Sequence, residues 1–347
     1  MPMRRFIPFF LAFLVLVPGG KAPKAAPGLA PGQIWVHGRV VDTLAQAFDI
    51  VTHGGIIRMG PGVYPMAGTI TRNRVRLEGS GPETILQGRA VGGKAALVVK
   101  GNGVTIARLA CRGISVPDGN GACVRLEGRD LTLDHVVFAD SESGLLTAGN
   151  PGHVRVLDSL FIRLGKAGRA HAIYQGGGEL TVRGTRVIAS RDQGHGIKSR
   201  ASRTTIENSV IASAGGDDSR LVDLPNGGLV TISGSVLAEG AASVNHQLLS
   251  FGVEKGRAGV SALRLDGNLI LTDRARGSTL LLSGRDMPSP VVVNNHVVGP
   301  VRFNWAADEA GNNRFFPDRE AAHLPPAPVV PGLDWLDPDG LGAPDAP

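Results

Sequence analysis

The chain is poor in aromatics, in cysteine and in long apolar runs, and each shortage excludes something. Aromatic residues are 5% of its 347 positions, and no lysine–arginine block or basic stripe interleaved with aromatics occurs, which excludes a nucleic-acid partner. Cysteine appears twice, at Cys111 and Cys123, with no histidine at ligand spacing beside them, so a zinc site is excluded. An oxidising compartment would permit a bridge between the two, 12 residues apart, while small apolar thiols stacked in strands are the commoner arrangement; the sequence leaves both open. The Met, His and Cys density of a metal-handling protein is missing. The longest apolar run, Phe6 to Val17, has twelve residues, against the roughly 20 needed to cross a bilayer.

That run follows Arg4 and Arg5 and precedes Gly20-Lys21-Ala22, the layout of a secretory signal peptide over residues 1–22. The expected location is periplasmic or secreted, with no membrane span in the mature chain. What the sequence does have is 49 Gly and 23 Pro together with 42% hydrophobic residues. Short strands separated by tight turns reconcile these numbers, whereas a helical or a disordered chain does not. The formal charge of +6, mostly an arginine excess, suits an acidic partner.

Strand-like segments recur from Val104, Leu131, Val154, Leu180, Thr204, Val230, Leu263 and Val291, at spacings of 27, 23, 26, 24, 26, 33 and 28 residues. Each opens apolar–polar–apolar, passes through a small or polar trio and closes on an apolar pair. Such a period, with several strands and no helix per repeat, predicts an all-β right-handed parallel β-helix whose coils stack about 4.8 Å apart. Residues 43–52 form the one amphipathic helix, expected to plug the N-terminal end of the core. The predicted organisation is one β-helix domain over 23–316 and a Pro-rich tail over 317–347, packed along the solenoid by Trp335. Capped ends make a monomer the expectation.

A further strand in each coil aligns Ile173, Ile197, Val222 and Leu249 inward. Tyr174, Lys198, Asp223 and Ser250 then point outward in one column. Two residues on, Arg200 lies on the same face, with Gly176 and Gly252 expected to leave room for a ligand. His171 and His195 fall at the strand entrances, and Asn226 lies in the following turn. Each part has a plain reading: a cross-strand ion pair, turn histidines, a tight corner. Their convergence on adjacent coils marks Lys198, His195, Arg200, Tyr174 and Asp223 as candidate catalytic residues, with His171, Asn226 and Ser250 as candidate substrate contacts.

The strings HAIYQG (171–176), GHGIKSRAS (194–202) and VDLPNGG (222–228) resemble a family of exported bacterial parallel β-helix proteins in the pectate-lyase-like superfamily. The helix followed by Pro61-Gly62-Val63-Tyr64 is similar to the opening of such proteins. More distantly, Lys198 with a neighbouring basic residue resembles the alginate lyase and chondroitinase B group, where Lys and Arg act in β-elimination beside a carboxylate-bound calcium. The resemblance implies a lyase or epimerase acting on an acidic, uronate-containing glycan, with calcium possible as a cofactor. Asp223 stands where that group has Arg, and no acidic calcium cluster is evident. Proton abstraction needs a base, for which Lys198 is the first choice and His195 the second, a neutralising cation in Arg200, and a donor in Tyr174 or His195. The alternatives are a non-catalytic glycan-binding or envelope-structural β-helix, and a glycoside hydrolase. Hydrolysis needs two facing acids, and of Asp192, Asp217, Asp218 and Asp223 only the last falls on the column.

Overall fold

A computed structural model describes residues 29–256, 258–305 and 311–332. The segment read as a signal peptide and Trp335 lie outside the described residues. Strands pair almost entirely in parallel, each with its counterparts one coil before and after, in three sheets of 12, 11 and 10 strands. This is a right-handed parallel β-helix. Among the described residues no helix is long and apolar enough to cross a membrane.

The period-two pattern explains the core. In the first sheet Ile106, Leu133, Val156, Val182, Ile206, Ile232 and Leu265 pair coil to coil, and all are buried. The second sheet contributes Phe138 and Phe161, whose rings meet edge to face at 5.2 Å. The third sheet contributes Leu145, Ile173, Ile197, Val222 and Leu249.

Each repeating segment proves to be two strands and the corner between them. The corner residue takes a left-handed backbone, as in Arg108 (φ 54°), His135 (φ 52°), Asp158 (φ 45°) and Asn208 (φ 47°), with Gly184 (φ 59°) in the same place on its own coil. A buried polar ladder follows directly. Ser159 Oγ accepts from Val136 N–H, Thr185 from Ser159, Ser209 from Thr185, Ser235 from Ser209, Asn268 from Ser235, Asn295 from Asn268, and Asn313 from Asn295. The small polar trio of the sequence is therefore a turn whose backbone donors are satisfied inside the solenoid.

The N-terminal end is closed by helix Leu44–Ile50, with Thr43 and Gln46 forming a capping box. Phe48 lies on Gly68, where any side chain would collide with its ring. An antiparallel hairpin, Ile34–Val36 with Arg39–Val41, completes this cap beside the first sheet. Residues up to 332 run back along the second sheet, where Leu324 and Val330 cover an outer apolar strip that includes Ile162, Ile188, Val210 and Leu271.

The structure decides between the two readings of the cysteines. Cys111 in the second sheet and Cys123 in the third are joined by a disulfide, their Cα atoms 5.7 Å apart. Half a coil of chain separates them, which brings them together across the core rather than into one strand column.

Candidate functional site

Ladder register aligns Tyr174 with Lys198, Lys198 with Asp223, and Asp223 with Ser250 on the outer face of the third sheet. Their side chains leave the core because Ile173, Ile197, Val222 and Leu249 occupy the inward positions. The column is nevertheless partly covered. A loop after strand Gln247–Phe251 folds back over it, with Glu254 and Lys255 N–H both donating to the Pro225 carbonyl.

Lys198 Nζ lies 2.7 Å from Asp223 Oδ2, and His195 Nε2 lies 3.3 Å from the same oxygen. Ser250 Oγ donates to Asp223 Oδ1. Burial alone would push the Asp223 carboxyl up, but His195, Lys198 and Ser250 together hold it below the usual range. His195 and His171 stack with ring centroids 4.9 Å apart, and the backbone N–H of His195 donates to His171 Nδ1. Burial lowers the His195 pKa to about 4, against the pull of Asp223, and that of His171 to about 3, so both rings are neutral at pH 7.

Arg200 is held on three sides. Its Nε donates to Tyr174 Oη at 3.0 Å, its Nη1 to Asn226 Oδ1 at 3.0 Å, and its Nη1 lies 2.7 Å from Glu254 Oε2. Glu254 also reaches Lys198, Oε1 to Nζ at 3.5 Å. One loop carboxylate thus spans both cations of the column. Hydrogen bonding to Arg200 holds Glu254 below its usual range, and the same contact raises Arg200.

The structure therefore brings Tyr174, His195, Lys198, Arg200, Asp223 and Asn226 together. His171 (3% exposed) and Ser250 (0% exposed) lie behind this group with their polar atoms turned to His195 and Asp223. Room beside the two glycines is not there. A side chain at Gly176 would strike the Ala148 carbonyl, and at Gly252 it would strike Met287, whose thioether also packs on Gly227 and Gly256. Sequence reasoning missed Glu254 and Met287, because both lie in aperiodic loops. The sole signal was the 33-residue spacing of the coil that carries Glu254; the 28-residue coil of Met287 gave none.

A resident calcium does not fit here. Asp223 and Glu254, the carboxylates against Lys198 and Arg200, are already paired with those cations, which leaves no free acidic set beside them among the described residues.

The chain superposes on the pectate lyase Pel9A with a TM-score of 0.54 at 14% identity, covering 84% of this chain and 76% of that one. The two share a fold. Weaker similarities reach the PL6 family alginate lyase AlyGC (TM-score 0.34, 13% identity, 78% and 51% covered) and the pectin methylesterase PemA from Erwinia chrysanthemi (0.34, 12%, 81% and 84%). No protein-family model and no curated protein matches the sequence.

Proposed function

We propose that this chain is an exported enzyme that acts on an acidic, uronate-containing polysaccharide, as a lyase or epimerase, at the outer face of the third sheet. One observation carries the reading. Lys198 and Arg200 already grip a carboxylate, that of Glu254, which hangs from a loop and is 43% exposed. A uronate carboxylate entering from solvent would take the place of that group, and the two cations would then stabilise the enediolate charge that develops as the neighbouring proton leaves.

His195 is the base in this scheme. It is neutral at pH 7, and its Nε2 lies 3.3 Å from Asp223 Oδ2, which leaves the unpartnered Nδ1 as the nitrogen that takes a proton. Lys198, the first choice from sequence, has its ammonium committed to Asp223 at 2.7 Å and serves better as a cationic clamp. His195 takes the proton alpha to the carboxylate, and Asp223 stabilises the imidazolium formed. In a lyase the electron pair then expels the oxygen at the beta carbon, which receives a proton from the Tyr174 hydroxyl. In an epimerase the carbon regains a proton on its opposite face. Export accords with the apolar segment at 6–17 and with the Cys111–Cys123 bridge.

The test follows near-ultraviolet absorbance of the unsaturated product on a panel of uronate polysaccharides, with wild type, His195→Gln and Lys198→Ala. Product formation lost by at least about a hundredfold in each variant supports the scheme. Tight binding with neither unsaturated nor epimerised product, unchanged in His195→Gln, would leave a glycan-binding protein instead.

A further inference from the structure

Three turns stack beside the candidate site. They follow strands Val222–Leu224, Gln247–Phe251 and Ser278–Ser283 of the third sheet, which pair in register. The first turn carries Asn226 and the second Glu254, and both side chains hold Arg200. The third brings Met287.

Met287 lies in a slot made by glycines of the other two turns. A Cβ at Gly252 would come within 2.5 Å of its sulfur and 2.6 Å of its Cγ and Cε. One at Gly256 would come within 2.6 Å of the sulfur, and one at Gly227 within 2.8 Å of Cε. The thioether therefore rests on the backbone of both turns at once. Gly227 and Gly252 also take left-handed φ of 75° and 70°, so the slot is glycine on two counts. The loop over the site has few other fastenings. Val253, its own apolar side chain, is 40% exposed, and Lys255 is exposed. What else holds it is the pairing of Glu254 with Arg200 and Lys198, and the N–H groups of Glu254 and Lys255 on the Pro225 carbonyl at 2.9 and 3.1 Å.

A thioether packs as an apolar group, but a hydroperoxide converts it to a polar, chiral sulfoxide. The sulfur lone pair attacks one peroxide oxygen and the O–O bond breaks. The departing hydroxide takes the proton of the transferred hydroxyl and leaves as water, so sulfur loses the two electrons that the peroxide gains. The new oxygen would sit against glycine backbone, and the N–H groups of Gly227 and Gly252 are already given to the Leu224 carbonyl. Met59 is fully buried in the core, whereas Met287 is half-buried at the surface.

We propose that Met287 is an oxidation-sensitive bolt, whose conversion to the sulfoxide by a hydroperoxide releases the loop bearing Glu254 and uncovers Lys198 and Arg200. The use of those cations for a uronate rests on the function proposed above; the release of the loop does not.

The full chain is treated with hydrogen peroxide, oxidised positions are located by peptide mass spectrometry, and amide hydrogen exchange is followed at Glu254 and Lys255. Met287 should oxidise ahead of Met59. Exchange at the two amides should quicken by at least about tenfold and return to its starting rate after treatment with methionine sulfoxide reductases of both epimer specificities. Met287→Leu, a swap of similar volume that forms no sulfoxide, should keep slow exchange under peroxide. Met66→Leu, between strands Gly62–Tyr64 and Gly68–Ile70, should respond as wild type does. Oxidised Met287 with unchanged exchange, release that persists in Met287→Leu, or a Met287 that stays reduced while Met66 is oxidised overturns the proposal. Oxidation of the wild type and its enzymatic reversal decide the matter should Met287→Leu not fold. Uronate oligosaccharide binding is measured on the same samples and should tighten on oxidation by up to about fivefold, because Glu254 no longer competes. Release with unchanged or weaker affinity overturns the uncovering of the cations, whereas no uronate bound by either form tells against the proposed substrate and not against the bolt.

Discussion

Replacing Glu254 by Gln separates a competitor from a contact. In the wild type the Glu254 carboxylate must leave Arg200 and Lys198 before a ligand carboxylate can take its place. Its strongest contact is 2.7 Å to Arg200, but the two side chains are 43% and 21% exposed. Solvent screening therefore limits the pair to the upper end of the surface range, about 1 kcal/mol. The longer 3.5 Å contact to Lys198 adds little, since that ammonium is already matched by Asp223. Removing this competition should tighten a uronate oligosaccharide by roughly fivefold, on the scale where 1.4 kcal/mol is tenfold. The gain should shrink as salt is raised, because an exposed pair is screened. Calorimetric titration of both proteins at low and high ionic strength measures it. Weaker binding by Glu254→Gln would refute the reasoning, since the carboxylate would then be a ligand contact rather than its stand-in.

Two further outcomes follow from the buried polar groups. An unfolded histidine takes up its proton as pH falls through about 6.5, while the folded chain resists until about 4 at His195 and about 3 at His171. Across that window the native state binds fewer protons than the unfolded one, so stability falls with pH, and above about pH 7 these rings contribute no slope. His171→Gln, which retains an acceptor for the His195 N–H, should flatten the decline in melting temperature between about pH 6.5 and 4. A decline as steep as in wild type would remove His171 from this account. In the ladder, Asn295 accepts from the backbone and side chain of Asn268 and donates to the Leu265 and Val293 carbonyls. Asn295→Ala leaves several of these groups buried and unpaired and should cost about 2–4 kcal/mol in urea unfolding, whereas a loss below about 0.5 kcal/mol would mean that water replaces it.

How much was legible in the sequence follows from what repeats. In a parallel solenoid, chain spacing becomes spatial adjacency, so steps of 24 and 25 residues were enough to align Tyr174, Lys198 and Asp223. The alternation of apolar residues likewise gave the core column through Ile173, Ile197, Val222 and Leu249. What does not repeat was hidden. Glu254 and Met287 reach the site from loops without period. The Cys111–Cys123 bridge depends on the width of the coil, which 12 residues span only as half a turn. The hairpin Ile34–Val36 with Arg39–Val41 is antiparallel, and the repeat could not announce it. The burial of Asp218 depends on how the corner closes over it, and its neighbour Asp217 in the same Asp-Asp pair instead accepts from the Asp192 backbone.

The polar ladder has a consequence for how the molecule can change. Its rungs are separated by 23, 26, 24, 26, 33, 27 and 18 residues, yet every link from Val136 to Asn313 is made. Coil length is thus uncoupled from coil alignment: the rungs keep phase, and surplus residues are pushed out between strands. In the 33-residue coil much of the surplus lies between strands Gln247–Phe251 and Ala262–Asp266, in the loop that bears Glu254. Insertions and deletions there can reshape what covers Lys198 and Arg200 while the framework beneath keeps its register. The solenoid is in this sense a rail on which one loop can be exchanged without retuning the rest.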